Sequence, residues 1–356
     1  MGNGSLDSAK RAKKDEFYTQ LSDIENEMNA YLDYNKNVFR DKTILLPCDD
    51  PIVSNFTQYF AMRFKGLGLK KLITTSYAPI NRGGSYSPDK KLLNNEKYDR
   101  ERDLTHGKVF VLEDKDLNGD GVINKEDFTW DYLEGDGDFR SEEVTSLRDE
   151  ADIVVTNPPF SLFREFMSWV MEGELDFLVI GNMNAITYKE FFPLIKENKV
   201  WIGASGMRSM SYEVPDVGEL SSSQYHHDNK RFQKLGNTCW FTNIEHGARH
   251  EPLELLSMED NKRFNKRIAN NANSYKRYDN YDAIEVPVTS GIPSDYNGVM
   301  GVPISFLDKY CPEQFEILGI SGELANPVFI DGKRKSGRFY VSGKRLYDRI
   351  AIKHKK

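Results

Sequence analysis

The sequence is poor in cysteine and contains no long apolar run. Its three cysteines, Cys48, Cys239 and Cys311, are far apart and form no Cys-x-x-Cys pair, which excludes a disulfide framework and a cysteine zinc site and fits a reducing compartment. No apolar stretch approaches the roughly 18 residues that a membrane-spanning helix needs. None follows the first residues either, so we expect neither export nor a lipid anchor. These absences predict a cytoplasmic protein without a membrane partner.

Charge is distributed unevenly along the chain. The formal net charge of -7, taken alone, disfavours a polyanionic partner, but residues 101–150 alone contain 16 acidic and 6 basic residues. At the other end, residues 331–356 carry ten Lys or Arg against two Asp, with Phe339, Tyr340 and Tyr347 interleaved. This basic and aromatic segment suits contact with phosphates. A solvated C-terminal tail is the equally simple alternative.

Short β-rich runs alternate with amphipathic helical patterns up to about residue 245. The runs expected to form strands occupy residues 43–47, 70–77, 108–112, 151–156, 176–181, 200–203 and 239–244. This alternation predicts an α/β fold with a mostly parallel sheet. Ligands of such sheets bind at the carboxyl ends of the strands.

The periodicity decays beyond about residue 250 into polar sequence rich in Asn and Tyr, followed by turns that contain Pro and Gly. We therefore predict one large domain at residues 1–250, which includes an acidic insertion at about 112–135. A smaller C-terminal region follows at 251–356.

The acidic insertion matches the register of an EF-hand calcium loop. Oxygen ligands occupy positions 1, 3, 5, 9 and 12, a glycine stands at position 6 and an apolar residue at position 8. The predicted calcium ligands, with a backbone carbonyl at position 7, are Asp116, Asn118, Asp120, Val122, Asn124 and Asp127. The twelfth position is Asp where EF-hands usually have Glu, which shortens the bidentate reach. The alternative is an acidic surface loop that keeps the register without binding calcium.

The tetrapeptide Asn157-Pro158-Pro159-Phe160 stands directly between an apolar strand and a helical pattern. An ordinary turn is the simplest interpretation, because Asn-Pro and Pro-Pro commonly end strands. The two prolines, however, fix φ and donate no hydrogen bond, so the loop holds the Asn side-chain oxygen and a prolyl carbonyl as rigid acceptors beside an aromatic ring. Two acceptors and a stacking face suit an exocyclic amine on a flat heterocycle.

This tetrapeptide resembles the Asn/Asp-Pro-Pro-aromatic motif of the N6-adenine DNA methyltransferases. Three other segments, KDEFYTQ at 14–20, CDDP at 48–51 and GDGDFRS at 135–141, precede it in the order found in the EcoRI-type modification methyltransferases. The resemblance spans roughly residues 10–245. It implies a Rossmann-like sheet and methyl transfer from S-adenosylmethionine to an adenine flipped out of double-stranded DNA.

The resemblance also assigns roles to individual residues. Asn157, Pro158, Pro159 and Phe160 are then catalytic, since they clamp the adenine amine and stack on the base. Residues implied to bind S-adenosylmethionine are Phe17, Tyr18, Thr19, Asp49, Asp50, Asp138 and Phe139. The division of roles between Asp49 and Asp50 stays open, because the turn after the first strand has none of the glycines usual in methyltransferases. The second strand also ends without the acid that usually binds the ribose.

The basic C-terminal region is the expected DNA contact. The candidates for phosphate contact are Lys333, Arg334, Lys335, Arg338, Lys344 and Arg345. The protein is expected to be a monomer that acts either in restriction-modification, with a cognate restriction endonuclease as its functional partner, or as an orphan enzyme. Base-reading residues cannot be chosen from one sequence.

Two other functions remain open on the sequence alone. One is a calcium-dependent binding module in which the tetrapeptide is only a turn. The other is methylation of RNA or of a protein glutamine, whose amide also fits between two acceptors.

Overall fold

The computed structural model describes residues 18–49, 54–79, 93, 95–214, 219–330 and 332–355. The chain divides into two compact units. The first comprises Met1–Asn182 and Arg208–Ile244, and the second comprises Met183–Met207 and Glu245–Lys356. Within the described ranges, no helix combines the length and the apolarity needed to cross a bilayer.

A seven-stranded stretch of mixed sheet forms the centre of the first unit. Its strands are β2 (Thr43–Leu46), β3 (Lys71–Ser76), β4 (Lys108–Glu113), β5 (Thr129–Tyr132), β6 (Ile153–Thr156), β7 (Asp176–Asn182) and β12 (Thr238–Thr242). They lie in the order β5-β4-β3-β2-β6-β7-β12. Every residue of β2 and β6 is buried, as expected for central strands covered on both faces.

The sheet is parallel only in its middle, so the prediction of a mostly parallel sheet is wrong for its flanks. Strands β3, β2, β6 and β7 are parallel neighbours. In contrast, β4 runs antiparallel to β3 and to β5, and β12 runs antiparallel to β7. Strand β4 alternates buried and half-buried residues, which is the pattern of an antiparallel strand with one partly solvated face.

The helices of the first unit are set by local sequence signals. They are α1 (Leu21–Tyr34), α2 (Asn55–Leu67), α3 (Arg100–Thr105), α4 (Glu142–Asp149) and α5 (Phe163–Glu172). Ser54 caps α2 by accepting hydrogen bonds from the amides of Phe56 and Thr57, and α2 ends at Gly68, whose φ of 67° favours glycine. Helix α5 packs closely on the sheet, because a side chain at Gly181 of β7 would collide with the ring of Phe163.

A second, four-stranded sheet in the first unit has the order β1-β9-β11-β10. It consists of β1 (Tyr18–Thr19), β9 (Met210–Val214), β10 (Gln224–His227) and β11 (Lys230–Leu235). All its neighbours are antiparallel, and Thr19 pairs with Tyr212. The sheet therefore attaches the N-terminal strand to a hairpin far along the chain.

The second unit contains a four-stranded sheet and two hairpins. Its sheet has the order β13-β14-β20-β15, with β13 (Ile284–Glu285), β14 (Met300–Pro303), β15 (Phe315–Ile320) and β20 (Arg349–His354). The hairpins are β16 (Val328–Ile330) with β17 (Lys333–Lys335), and β18 (Tyr340–Val341) with β19 (Lys344–Arg345). Its remaining elements are α6 (Phe192–Lys196), β8 (Trp201–Ile202), α7 (Met258–Phe264), α8 (Lys266–Ala269) and α9 (Ser321–Leu324).

Candidate active site

The tetrapeptide lies at the carboxyl end of the central strand β6. Asn157 follows the last residue of β6, and Phe160 begins a short 3-10 helix that leads into α5. The carbonyl of Pro159 accepts the amide of Leu162 at 2.9 Å, which fixes the turn. Pro158 is buried, while Asn157 and Phe160 are half-buried. The loop thus holds its Asn and its aromatic ring at the ligand-binding edge of the sheet.

The N-terminal strand contacts the Asn157 side chain directly. Nδ2 of Asn157 donates a hydrogen bond of 3.3 Å to Oγ1 of Thr19. Asn55, the first residue of α2, donates from its own Nδ2 to the carbonyl oxygen of Thr19 at 2.7 Å. In this arrangement the amide nitrogen of Asn157 faces Thr19, and the side-chain oxygen is the acceptor end.

Asp49 connects the ends of two parallel strands. This side chain is 7% exposed. Its two oxygens accept from the hydroxyls of Ser54 at 2.7 Å and Thr156 at 2.6 Å. The backbone carbonyl of Asp49 accepts from the hydroxyl of Thr74 in β3. These hydroxyls hold the Asp49 side chain next to Thr156, the residue that directly precedes the tetrapeptide.

The backbone of the loop at 135–139 lies directly against the backbone at the end of β3. A side chain at Gly137, where φ is 82°, would lie 2.5 Å from the carbonyl oxygen of Ser76. The amide of Ala78 donates to the carbonyl of Asp136 at 2.7 Å. Burial raises the pKa of Tyr77, and a hydrogen bond to the Asp136 carboxylate adds to the shift. A phenol and a carboxylate therefore meet where β3 carries no acid of its own.

Asp138 and Phe139 come to the same loop but are engaged by protein groups. Arg140 donates to both oxygens of Asp138, at 2.9 and 2.6 Å, and this ion pair lowers the pKa of the Asp138 carboxyl. The ring of Phe139 is buried and packs edge-on against Phe166 and Trp169 of α5. Phe139 therefore anchors the loop to α5 with its ring.

The other residues predicted to bind the cofactor are only partly described. Phe17 and Asp50 lie outside the described residues, and for Tyr18 the structure gives the strand pairing with Glu213. Sequence reasoning missed Ser54, Asn55, Thr156, Tyr77 and Asp136. A Ser directly before the helical pattern of α2 is the capping signal that could have indicated Ser54 and Asn55. The other three follow from long-range packing.

The residues at this edge fit S-adenosylmethionine. That molecule carries a positive sulfonium, an amine and ribose hydroxyls, for which carboxylates are suitable partners. Asp49 and Asp136 place carboxylates at the carboxyl ends of the neighbouring parallel strands β2 and β3. Thr156, the residue before Asn157, donates to the Asp49 carboxylate. The donor and acceptor set is therefore suitable for the cofactor.

The predicted calcium site is not supported. The described part of the chain contains no group of three or more His, Cys, Asp or Glu side chains that could hold a metal ion. Asp116 accepts the amides of Gly119 and Gly121, and the buried Asp127 accepts those of Leu117 and Asn124. The residues predicted to be calcium ligands, for which the structure gives no support, are Asp116, Asn118, Asp120, Val122, Asn124 and Asp127. The carboxylates of Asp116 and Asp127 thus stabilise the turn through its own backbone amides. The hydrogen bond from the amide of Asn124 contributes most to lowering the pKa of Asp127.

The predicted DNA contacts lie on the two hairpins of the second unit and the segment between them. Five of the side chains are exposed, namely Lys333, Arg334, Lys335, Lys344 and Arg345. Arg338 differs, because its guanidinium pairs with Asp348 at 2.9 Å. Exposed cations on two short hairpins are available to a polyanion, whereas Arg338 already has a structural partner.

Comparison with known proteins shows the family to which the chain belongs. The family described as adenine-specific methyltransferase EcoRI matches residues 5–355. The type II methyltransferase M.EcoRI of Escherichia coli is 43% identical over 97% of this chain and 98% of that protein. M.MpnI of Mycoplasma pneumoniae is 34% identical over 98% of this chain and 97% of its own length. M.MgeORF184P of Mycoplasma genitalium is 34% identical over 97% of both chains. No solved structure matches.

The match is not confined to the short motifs, since it extends through both compact units. It also removes the alternative of a calcium-dependent binding module, because a family of enzymes covers the loop and the tetrapeptide together. The chain belongs to the EcoRI family of adenine-specific methyltransferases.

Proposed function

We propose that this protein is a site-specific DNA methyltransferase that transfers the methyl group of S-adenosylmethionine to N6 of an adenine. One observation carries the proposal. The Asn157 amide stands at the carboxyl end of β6, donates to Thr19, and directly follows Thr156, whose hydroxyl donates to the Asp49 carboxylate. This arrangement brings an amine acceptor and a cofactor-binding carboxylate to one edge of the sheet.

The reaction requires that a poor nucleophile be activated. The N6 lone pair of adenine is delocalised into the ring, and acceptors that engage both N6 protons favour a pyramidal nitrogen with a localised lone pair. The Asn157 side-chain oxygen and the Pro158 carbonyl are those acceptors. When bound, S-adenosylmethionine supplies a methyl group that is already activated by the positive sulfur.

Catalysis then depends mainly on the alignment of the adenine N6 with the methyl group of the cofactor. Displacement at a methyl carbon needs the nucleophile in line with the leaving group, and holding both reactants in that geometry accounts for much of the rate. Phe160, which is half-buried beside Asn157, offers a face on which the extruded base stacks. Asp49, Tyr77 and Asp136 form the cofactor side of the pocket.

The two units have separate roles in this proposal. The first unit is the methyltransferase domain, with a Rossmann-like arrangement of its parallel strands. The second unit recognises the DNA target through its two basic hairpins. Action in restriction-modification beside a cognate endonuclease, a monomeric state and a cytoplasmic location stay predictions.

Transfer of labelled methyl from S-adenosylmethionine to duplex DNA tests the proposal. The unmodified enzyme is expected to label DNA, and sequencing of modified bases identifies N6-methyladenine within one short sequence. Asn157→Ala is expected to lower the transfer rate at least about 100-fold, by analogy with the loss of one preorganised polar group in an active site. Calorimetry is expected to show that this variant still binds the cofactor.

Asn118→Ala is the matched control, because it removes the same amide from the exposed acidic loop. Its transfer rate should equal that of the unmodified enzyme. An unchanged rate in Asn157→Ala would contradict the proposed mechanism. Label that appeared in RNA or on a glutamine peptide and not in DNA would contradict the substrate.

A further inference from the structure

The β16–β17 hairpin is a two-stranded ribbon whose side chains are largely exposed. All three residues of β17, Lys333, Arg334 and Lys335, are exposed. In β16, Phe329 is 75% exposed, which is unusual for a phenylalanine. A cluster of exposed cations around an exposed aromatic ring marks a binding surface for a negatively charged, partly apolar partner.

The strand register sorts these side chains onto two faces. Phe329 pairs with Arg334, whereas Ile330 pairs with Lys333 and Val328 pairs with Lys335. Directly paired residues share a face, and successive residues of a strand point to opposite faces. Phe329 and Arg334 therefore occupy one face of the ribbon, and the two lysines occupy the other.

The base of the ribbon is held by one buried amide. Asn280, which is 6% exposed, donates to the carbonyls of Asn326 at 2.7 Å and Arg338 at 2.9 Å, and accepts the amide of Tyr340 at 3.1 Å. These partners lie just before β16, just after β17 and at the start of β18. One side chain thus holds the entry and the exit of the ribbon, so its orientation is fixed before any ligand binds.

The neighbouring hairpin is fixed by the adjacent residue. The carboxylate of Asp279 accepts the amides of Ser342 and Gly343 at 3.0 and 2.7 Å, in the turn between β18 and β19. Phe339 stacks between Tyr278 and Tyr281 at 4.4 and 4.9 Å. A single segment, residues 278–282, therefore positions both basic hairpins.

We propose that the β16–β17 ribbon enters the major groove of the substrate DNA, where Arg334 reads a guanine edge and Phe329 contacts a neighbouring thymine methyl. Lys333 and Lys335, on the opposite face, contact phosphates. The inference rests on the proposed function, because it takes duplex DNA as the partner. It divides the predicted phosphate contacts into base-reading and phosphate-binding residues.

Groove dimensions and side-chain chemistry support this assignment. The major groove of B-DNA is about 12 Å wide and admits a two-stranded ribbon. A guanidinium forms two parallel hydrogen bonds with O6 and N7 of guanine, which a lysine ammonium cannot reproduce as a fixed pair. An apolar ring is a suitable contact for the thymine methyl, whereas an exposed ring gains nothing from a phosphate.

The test uses the sequence that the unmodified enzyme methylates. Its duplex is compared with duplexes that carry one base-pair change each, in binding and in kcat/KM. Arg334→Lys keeps the charge but loses the two parallel N–H donors of the guanidinium. Discrimination at one base pair is therefore expected to fall on the order of 10- to 100-fold, while the salt dependence of binding is unchanged. Arg267→Lys, which makes the same change at an exposed position of α8, is the matched control, and its discrimination should not change.

The lysines are expected to behave in the opposite way. Lys333→Gln and Lys335→Gln should each weaken binding to all duplexes alike and lower the slope of log affinity against log salt by about 1. Phe329→Ala should reduce discrimination without changing that slope. Phe264→Ala, which removes a ring that is 63% exposed on α7, is its control and should change neither quantity.

The outcomes distinguish a failure of the role proposed for the ribbon from a failure of the proposed methyltransferase function. If Arg334→Lys retains full discrimination at every base pair, or if Arg334→Gln loses only salt dependence, Arg334 is a phosphate contact and the inference is wrong while the methyltransferase function stands. If the unmodified enzyme transfers no methyl to DNA, the proposed function fails and the role of the ribbon fails with it.

Discussion

The two units each contain a buried carboxylate, and the two are satisfied differently. Glu285 in the second unit is 1% exposed and receives both nitrogens of the Arg349 fork, at 2.7 to 3.1 Å, together with the hydroxyl of Tyr278 at 2.5 Å. Asp49 in the first unit accepts from the hydroxyls of Ser54 and Thr156. Glu285 is thus paired with the Arg349 cation, whereas Asp49 accepts from hydroxyls, which carry no charge.

This difference separates a structural ion pair from a binding site. A buried charge is stable when it is paired and hydrogen-bonded, and Glu285 meets both conditions within the protein. Burial, reinforced by the nearby Glu285 carboxylate, raises the pKa of Tyr278, so this phenol stays a neutral donor. Asp49 is held by the hydroxyls of Ser54 and Thr156 at the carboxyl end of the parallel strands, where a carboxylate is a suitable partner for a positively charged cofactor. Three substitutions and one metal test examine this contrast.

The largest effect is expected at Glu285. Glu285→Ala leaves the guanidinium of Arg349 buried without its carboxylate, and breaking such a pair typically costs about 3–5 kcal/mol. Denaturant unfolding followed by circular dichroism measures the loss. The exposed Glu316 on β15, at the opposite edge of the same sheet, provides the control, and Glu316→Ala should change the free energy of unfolding by less than about 0.5 kcal/mol. Equal stabilities for the two variants would show that Glu285 is not a structural acid.

A smaller effect, on binding and not on folding, is expected at Asp49. Asp49→Asn removes the charge, keeps one oxygen as an acceptor for one of the two hydroxyls, and turns an NH2 donor toward the other hydroxyl, which can accept from it. The affinity for S-adenosylmethionine should fall about 10- to 100-fold, as for other hydrogen bonds to charged groups, while the free energy of unfolding of the protein without cofactor changes little. Calorimetry and denaturant unfolding measure the two quantities.

Asp33→Asn on the exposed face of α1 makes the same chemical change away from the site. Its cofactor affinity should equal that of the unmodified protein. If Asp49→Asn lost stability and kept its cofactor affinity, Asp49 would be a structural residue like Glu285, and the contrast between the two units would disappear.

The same contrast explains which features could be predicted from sequence. The central strands β2 and β6 appear as short apolar runs, and the prolines after Asn157 mark the loop that follows. Those are local signals. The antiparallel course of β4 was not predicted, because strand direction depends on the partner and on what covers each face. The contacts of Asn157 with Thr19, and of Asp49 with Thr156, join residues more than 100 positions apart, which no local pattern reveals.

The hairpins of the second unit show the same limit. Their basic and aromatic composition predicts contact with phosphates. Composition, however, does not state which side chains share a face, because a shift of one residue in register exchanges the faces of a strand. The pairing of Phe329 with Arg334 supplies that information. Asn280, which holds the base of the ribbon, is one of many asparagines in a polar segment and has no distinguishing local signal.

A moderate kinetic effect is expected at Thr19. Thr19→Val removes the hydroxyl that accepts from Asn157 but keeps the shape of the side chain. A hydrogen bond of this kind contributes about 0.5–1.5 kcal/mol, so kcat should fall roughly 2- to 13-fold. The KM for DNA should stay constant, because Thr19 positions Asn157 without contacting the duplex. Thr19→Ser restores the hydroxyl and should recover kcat. If the Thr19→Ser and Thr19→Val variants were equally impaired, Thr19 would have a packing role instead.

The smallest effect is expected at a third buried carboxylate, that of Asp127 in the acidic loop. Asp127 is 2% exposed, and its oxygens accept the amides of Leu117 and Asn124. Backbone amides satisfy this carboxylate locally, so neither an internal cation nor an added one is required. Calcium and a chelator should therefore give the same melting temperature and the same methyl-transfer rate. A rise of several degrees with calcium, abolished by Asp116→Asn, would instead identify a metal-binding loop.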